Sequence, residues 1–279
     1  MPYVTVNGVK IFYERRGVGP PLYVLHGGPG FDHTYFGNSL NEVERAKTVY
    51  YIDFRGHGLS DRCPPETYRF SRLVDDVEGF RRSLDHTSID ILGHSMGGMI
   101  ALLYALTYPE ALNKLILVAT GPRGFRAFIR IKGYKRIKIS LALLELKNAL
   151  RKIMGRRVDL KKYMLDFFDR AFPVYGIREE SWPQMRMLLE ASIKSTTEVH
   201  DALMPDLRKF NVTSRLPEIR APTLTILGEN DVIERSLLAG SMLEKIPNSK
   251  FVIIPNAGHH VFLGEPERFN QEIVHFLSV

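Results

Sequence analysis

Residues 93–98 read Gly93-His94-Ser95-Met96-Gly97-Gly98, a serine with glycine two positions to either side. Residues 88–92 ahead of them read as a short buried strand, and residues 96–108 carry a helical pattern stopped by Pro109. In that context the G-x-S-x-G spacing describes a sharp strand-to-helix turn that lifts the serine above the sheet edge in a strained conformation. The glycines remove side chains that would strike neighbouring strands. A glycine-rich turn with a bystander serine is the competing reading, and the strand ahead and helix behind weaken it.

A serine hydroxyl is a poor nucleophile at neutral pH; it needs a base, and the base needs an orienting acid. Both residue types follow later strand patterns. Gly228-Glu229-Asn230-Asp231 comes after the apolar run ending at Leu227, and Asn256-Ala257-Gly258-His259 after the run ending at Ile254. The order Ser95, Asp231, His259 is the one associated with this elbow. Glu229 is an alternative acid and His260 an alternative base, although Gly258 leaves space in front of His259. His94 reads as a residue packed beside the elbow. In Asp53-Phe54-Arg55-Gly56-His57-Gly58, His57 reads as a turn residue and Asp53 as a strand-end carboxylate without a nucleophile's role.

Nearer the start, Leu25-His26-Gly27-Gly28-Pro29-Gly30 closes another apolar run. It lacks the G-x-G-x-x-G and G-x-x-x-x-G-K-[ST] spacings and holds no lysine, which argues against a phosphate cradle. Its glycines suit a loop that turns main-chain N–H groups toward a reacting atom.

The wider pattern agrees with one α/β sheet. A hairpin is expected around Asn7-Gly8, strands at 22–26, 48–53, 88–92 and 114–119, and helices at 72–85 and 96–108. Strands alternating with helices imply a parallel sheet with right-handed crossovers. Residues 123–214 look largely helical instead, and the strand pattern resumes at 222–227 and 250–254 before a last helix at 266–277. The expected organisation is a core made of residues 1–122 and 215–279, with a helical cap inserted at 123–214. Within the cap, Ile139, Leu143, Leu146, Leu150 and Ile153 fall at steps of four and three. This stripe reads as core packing, with a membrane-facing amphipathic helix as the alternative.

The chain has 279 residues, 44% hydrophobic and 25% charged, ample for a buried core. Its net charge of +7 is uneven: residues 123–170 carry 15 Lys/Arg against 4 Asp/Glu, so the remainder is negative. The basicity reads as a solvated helix face, so no nucleic-acid partner is expected; contact of the basic cap with a membrane surface stays open. Cys63 is the one cysteine, which rules out a disulfide within the chain. No apolar run approaches the roughly 20 residues of a membrane span and no secretory signal opens the chain, so a cytoplasmic location is expected. No Cys/His cluster has metal spacing, and no cofactor is implied.

Taken together, HGGPG, DFRGHGLSD, GHSMGG, GEND and NAGHH resemble the α/β-hydrolases across almost the whole core. The resemblance implies an eight-stranded, mostly parallel sheet flanked by helices, with the cap before the last two strands, and a triad of Ser95, Asp231 and His259. HGGPG resembles the prolyl iminopeptidase-like branch, in which the oxyanion is held by backbone N–H groups that here belong to Gly28 and Met96. That branch usually has an aromatic residue after the serine, where this chain has Met96, and uses cap carboxylates for the substrate's amino terminus. Glu198 and Asp201 are candidate stand-ins in this chain, with a charge on a helix surface the favoured reading of each. GHSMGG is common among esterases, and an aspartate-nucleophile enzyme such as an epoxide hydrolase is argued against by Ser95. The expected activity is therefore hydrolysis of a small or medium carboxylic ester. Release of N-terminal proline comes second, a lactonase or C–C hydrolase third, and an inactive binding module is the alternative of a different class. Phe125, Phe128, Phe167, Phe168, Phe172 and Trp182 are candidate lining for the acyl pocket.

Overall fold

The computed structural model describes residues 2–124, 135–156, 158–171, 173, 176, 179–231 and 245–278. Strands β1 (Tyr3–Val6) and β2 (Val9–Arg16) make the expected hairpin, with positive φ at both Asn7 and Gly8. With β3 (Pro21–Leu25), β4 (Thr48–Ile52), β5 (Ile89–His94), β6 (Leu112–Val118), β7 (Thr223–Gly228) and β8 (Ser249–Ile254) they form one sheet in the order β1-β2-β4-β3-β5-β6-β7-β8. The β1/β2 and β2/β4 pairs are antiparallel and the others parallel. Strands β4 and β5 are buried at every residue because helices cover both faces, so neither shows the alternation of a half-exposed strand, and the buried Asp90 of β5 is paired with Lys47 at 2.7 Å.

The helices that flank the sheet are α1 (Asn41–Glu44), α2 (Phe70–Ser83) and α3 (Met96–Thr107). Helix α2 shows its amphipathic pattern directly: Leu73, Val74, Val77 and Phe80 are buried, and Arg72 is exposed. Helix α3 is apolar almost all round and buried accordingly, since it lies directly behind β5 under its neighbours.

Between β6 and β7 come α4 (Lys135–Ile153), α5 (Leu160–Ala171), α6 (Trp182–Ser192) and α7 (Thr197–Lys209). These helices share clusters with the sheet domain. Leu160, Met164 and Phe168 of α5 and Met185 and Leu189 of α6 pack with Phe31, Tyr35 and Phe36. Val199, Leu203 and Leu207 of α7 join Phe70 and Leu73. The short α8 (Val261–Gly264) and α9 (Pro266–Ser278) follow β8.

One expectation is overturned. Ile139, Leu143, Leu146, Leu150 and Ile153 do not pack into a core: their exposures run from 50% at Leu150 to 81% at Ile153. Helix α4 turns Leu144 and Asn148 inward instead, and Tyr163 of α5 donates its hydroxyl to Glu145 at 2.5 Å. Periodicity locates an apolar stripe on a helix but carries no information on what lies against it.

Candidate active site

Ser95 closes β5 with φ 53° and ψ −116°, a region that costs a non-glycine residue free energy and persists only when its surroundings enforce it. The enforcement is visible. Ser95 N–H donates to the Val118 carbonyl at 2.9 Å, and the Ser95 carbonyl accepts from Thr120 Oγ1 at 2.7 Å. A methyl group on Gly97 would stand 2.2 Å from the Leu25 carbonyl oxygen, and one on Gly93 2.5 Å from the Gly97 oxygen. The glycines thus serve close approach of backbones from β3, β5 and α3. Met96 is the first residue of α3, so its N–H is among the donors that a helix start leaves without an intrahelical partner.

Parallel pairing of β7 and β8 puts their following loops side by side. Asn230 N–H donates to the Ala257 carbonyl at 2.9 Å, and a methyl group on Gly228 would meet the Ala257 and Gly258 oxygens at 2.4 Å. This contact brings the fully buried Asp231 under His259. His259 Nδ1 lies 3.2 Å from each Asp231 carboxylate oxygen, and His259 Nε2 lies 3.1 Å from Ser95 Oγ. A carboxylate only accepts, so Nδ1 carries the proton and the Nε2 lone pair faces the serine hydroxyl.

Of the two alternative partners, Glu229 is exposed and accepts from Asn256 N–H at 3.1 Å, away from the imidazole. His260 is buried, and burial followed by the neighbouring His259 holds its pKa well below the ordinary histidine value.

The 27–30 loop rests on the elbow. A methyl group on Gly27 would stand 3.1 Å from His94 Nδ1, 3.2 Å from Ser95 Cβ and 3.3 Å from Tyr35 Oη, so the loop lies in close contact with the elbow. Gly28 has φ 150° and precedes a cis peptide bond to Pro29. Gly27 N–H is already used: it donates to Tyr35 Oη at 2.5 Å. Tyr35 Oη lies 2.8 Å from His94 Nδ1, and His94 Nε2 lies 3.1 Å from the His259 carbonyl oxygen. A carbonyl only accepts, so His94 Nε2 carries the proton, Nδ1 accepts, and the tyrosine hydroxyl donates to it. Burial, reinforced by His259 and His260, keeps His94 neutral by pushing its pKa well down. One directional chain therefore links the glycine loop to the His259 loop beneath Ser95. Sequence reasoning placed His94 beside the elbow but missed Tyr35, which belongs to no motif.

A family model described as alpha/beta hydrolase fold matches residues 20–266. The chain belongs to the α/β-hydrolase fold family. It is 28% identical over 270 residues to a pimeloyl-[acyl-carrier protein] methyl ester esterase of Nitrosospira multiformis, covering 96% of this chain and 98% of the relative. It is 27% identical over 266 residues to the proline iminopeptidase PfmaB of Pestalotiopsis fici, covering 93% of this chain and 92% of the relative. Among solved structures, the esterase EaEST from Exiguobacterium antarcticum superposes with a TM-score of 0.81 at 24% identity over 99% of both chains. The protein is an enzyme of this hydrolase family, with esterases and prolyl peptidases among its relatives.

Around the site, the hydrolase buries further charge. Asp53 accepts from His33 Nδ1 at 2.7 Å, from His33 N–H at 3.1 Å and from Leu59 N–H at 3.0 Å. Burial works to raise the Asp53 pKa, but the hydrogen bond and charge of His33 outweigh it and the net shift is downward. Burial likewise opposes the His33 imidazolium, and Asp53 with Asp32 and Glu14 outweighs burial to raise its pKa. Lys194, between α6 and α7, reaches Asp32 at 2.8 Å. Asp32, His33 and Asp53 bring ligand atoms within 4.8 Å of one another. The Lys194 ammonium already occupies the cation's side of Asp32, and His33 Nδ1 is engaged by Asp53, so the arrangement reads as an ion-pair cluster. His57 Nδ1 donates to the Arg55 carbonyl at 3.0 Å, holding the turn, and burial pushes its pKa down to about 3.

The candidate pocket residues of the hydrolase are brought together only in part. Phe168 is buried and stacks edge-on over Phe31 at 5.3 Å, with Phe167 5.4 Å from it. Met164 and Leu160 of α5 close over Gly30. Trp182 is half-buried at the edge of the same cluster. Phe125, Phe128 and Phe172 lie outside the described residues. Glu198 is exposed and its charge acts on the Tyr68 hydroxyl, while exposed Asp201 lies 3.2 Å from His200 Nδ1.

Proposed function

We propose that this hydrolase cleaves carboxylic esters of small to medium acyl size through an acyl-serine intermediate. The observation that carries the reading is the imidazole of His259, held between Ser95 Oγ and the buried Asp231 carboxylate. Ser95 Oγ attacks the ester carbonyl carbon while His259 Nε2 takes the hydroxyl proton. Asp231 orients the ring and stabilises the imidazolium without itself taking the proton. The N–H groups of Gly28 and Met96 bind the developing oxyanion, a role in which one donor contributes about 10²–10³ in rate. His259 then protonates the departing alkoxide, and water activated by the same ring hydrolyses the acyl-enzyme.

In this reading residues 123–214 act as a cap. Leu160, Met164 and Phe168 with Phe31 roof the glycine loop with apolar surface, which suits an acyl chain. The curated relatives named as esterases support ester hydrolysis, and those named as proline iminopeptidases, together with HGGPG, support a second reading. A prolyl substrate's ammonium needs a carboxylate partner, and the exposed positions of Glu198 and Asp201 favour the ester.

Two experiments test this. Ser95→Ala is expected to lower kcat/KM on p-nitrophenyl esters by about 10⁴-fold or more, and a serine-directed phosphonate to label Ser95; turnover by the variant rejects the triad. A panel of acyl esters beside prolyl arylamides is expected to favour esters. A preference for the amides by orders of magnitude replaces the first reading with the second.

A further inference from the structure

We propose that the outer face of α4 is a docking surface for an anionic lipid bilayer. The inference is independent of which bond the site cleaves. It rests on three observations that converge on one helix.

The first is exposure. Ile139, Leu143, Leu146, Leu150, Ile153 and Met154 lie along one side of α4 and its end, each between 50% and 81% exposed. At 1.5 Å per residue the stripe runs for about 20 Å. An apolar band of that length on an outer surface marks an interaction site more often than chance packing.

The second is charge. Helix α4 carries six Lys/Arg and one Glu, and Arg156 follows it. The one acid, Glu145, is bound by Tyr163. An apolar stripe on a strongly cationic helix is the pattern of a segment that lies in the headgroup region, with aliphatic side chains below and long basic side chains reaching phosphates.

The third is what the pattern does not suit. A second copy of this face would bring two strongly positive helices together. Protein partners favour aromatic residues, methionine and arginine and disfavour lysine at the contact, whereas five of the six stripe residues are Ile or Leu and four of the six cations are lysine. The buried face, with Leu144 and Asn148, is already turned to α5, and α5 in turn covers the glycine loop. Docking through the outer face therefore leaves the packing around Ser95 untouched and sets the hydrolase against a source of membrane-partitioned esters.

The test uses the full chain and flotation with phosphatidylcholine vesicles containing about one-third phosphatidylglycerol. The wild type is expected to partition to these vesicles, to bind pure phosphatidylcholine at least about tenfold more weakly, and to be released by salt. The triple variant Leu143→Ser/Leu146→Ser/Leu150→Ser and the double variant Lys147→Glu/Arg156→Glu, at exposed positions, are each expected to lose at least about tenfold in partitioning. Both keep the melting temperature and the turnover of a water-soluble ester, because the altered side chains lie outside the core and the site. Ser95→Ala protein is expected to float like the wild type, so a failure of the catalytic reading is separable from a failure of this one. Absence of wild-type binding to anionic vesicles overturns the proposal, as does binding that both variants retain. A concentration-dependent dimer, or capture by an acidic protein, that the triple variant abolishes while vesicles do not bind also overturns it.

Discussion

Around Ser95 a single added methyl group would collide with backbone; along the outer face of α4, six large apolar side chains stand half or more in solvent. Both regions are spelled in the chain by a regular spacing of residues. In the elbow the spacing works because each glycine answers a neighbouring group, Gly97 the Leu25 carbonyl of β3, Gly93 the backbone of α3 and Gly98 the Thr120 side chain, so the local pattern and the tertiary environment specify the same geometry. In α4 the spacing defines a face and leaves its partner open. The contrast teaches that a motif is most informative where tertiary contacts leave it no alternative.

The comparison is broken most severely at the elbow. Gly97→Ala is expected to cost upwards of about 3 kcal/mol or to prevent accumulation of folded protein, because the new methyl would sit 2.2 Å from the Leu25 carbonyl. Urea unfolding, or the soluble fraction on expression, measures it; a variant of unchanged stability would mean the backbones there are free to part.

Acid is expected to act next. Burial lowers the pKa of His26, His57, His94 and His260 in the folded state. Below about pH 6.5 the unfolded chain takes up these protons and the folded chain resists them, so stability falls as pH falls. Each such group adds at most about 1.4 kcal/mol per pH unit to the slope. His33 has the opposite sign: its raised pKa adds stability that is complete below its ordinary value and is lost as pH rises through the folded one. Asp53, with a lowered pKa, loses its contribution only as pH falls below the ordinary carboxylate range. Chemical denaturation at a series of pH values from 8 downward reads the net slope, and a flat profile between pH 7 and 5 would contradict it.

Tyr35→Phe probes the link beneath the nucleophile. Removing the hydroxyl leaves the Gly27 N–H and His94 Nδ1 unpaired in a buried site, at about 1–3 kcal/mol. If the chain positions the glycine loop against His259, kcat falls by about 10–100-fold with little change in KM, and Tyr35→His restores part of it. A loss of stability without loss of kcat would leave Tyr35 a packing residue.

The smallest pair sharpens the comparison on α4. Leu143→Ser is expected to change stability by less than about 0.5 kcal/mol, and its neighbour Leu144→Ser to cost about 2 kcal/mol, since one is 60% exposed and the other 6%. Equal effects at the two positions would mean that the outer stripe is covered in solution.

Much of the core was legible residue by residue. Asn7-Gly8 announces its hairpin because only such residues tolerate positive φ at both turn positions. Asp231 and His259 were recognisable from their places after two strands, but the choice over Glu229 and His260 was not. It depended on Gly228, which lets the two loops touch and turns Glu229 toward Asn256 N–H. Tyr35 had no signal at all, because its role exists only where the glycine loop, the elbow and the His259 loop converge.

By itself the sequence determined the α/β alternation, the strained serine turn and the order of its partners, since these follow from steric limits that act within a few residues. Tertiary structure alone decided which carboxylate reaches the imidazole, which hydroxyl bridges the loops and which side of α4 is left outside. Those outcomes depend on contacts between segments tens to hundreds of residues apart, where burial and hydrogen bonding, not local preference, select one arrangement.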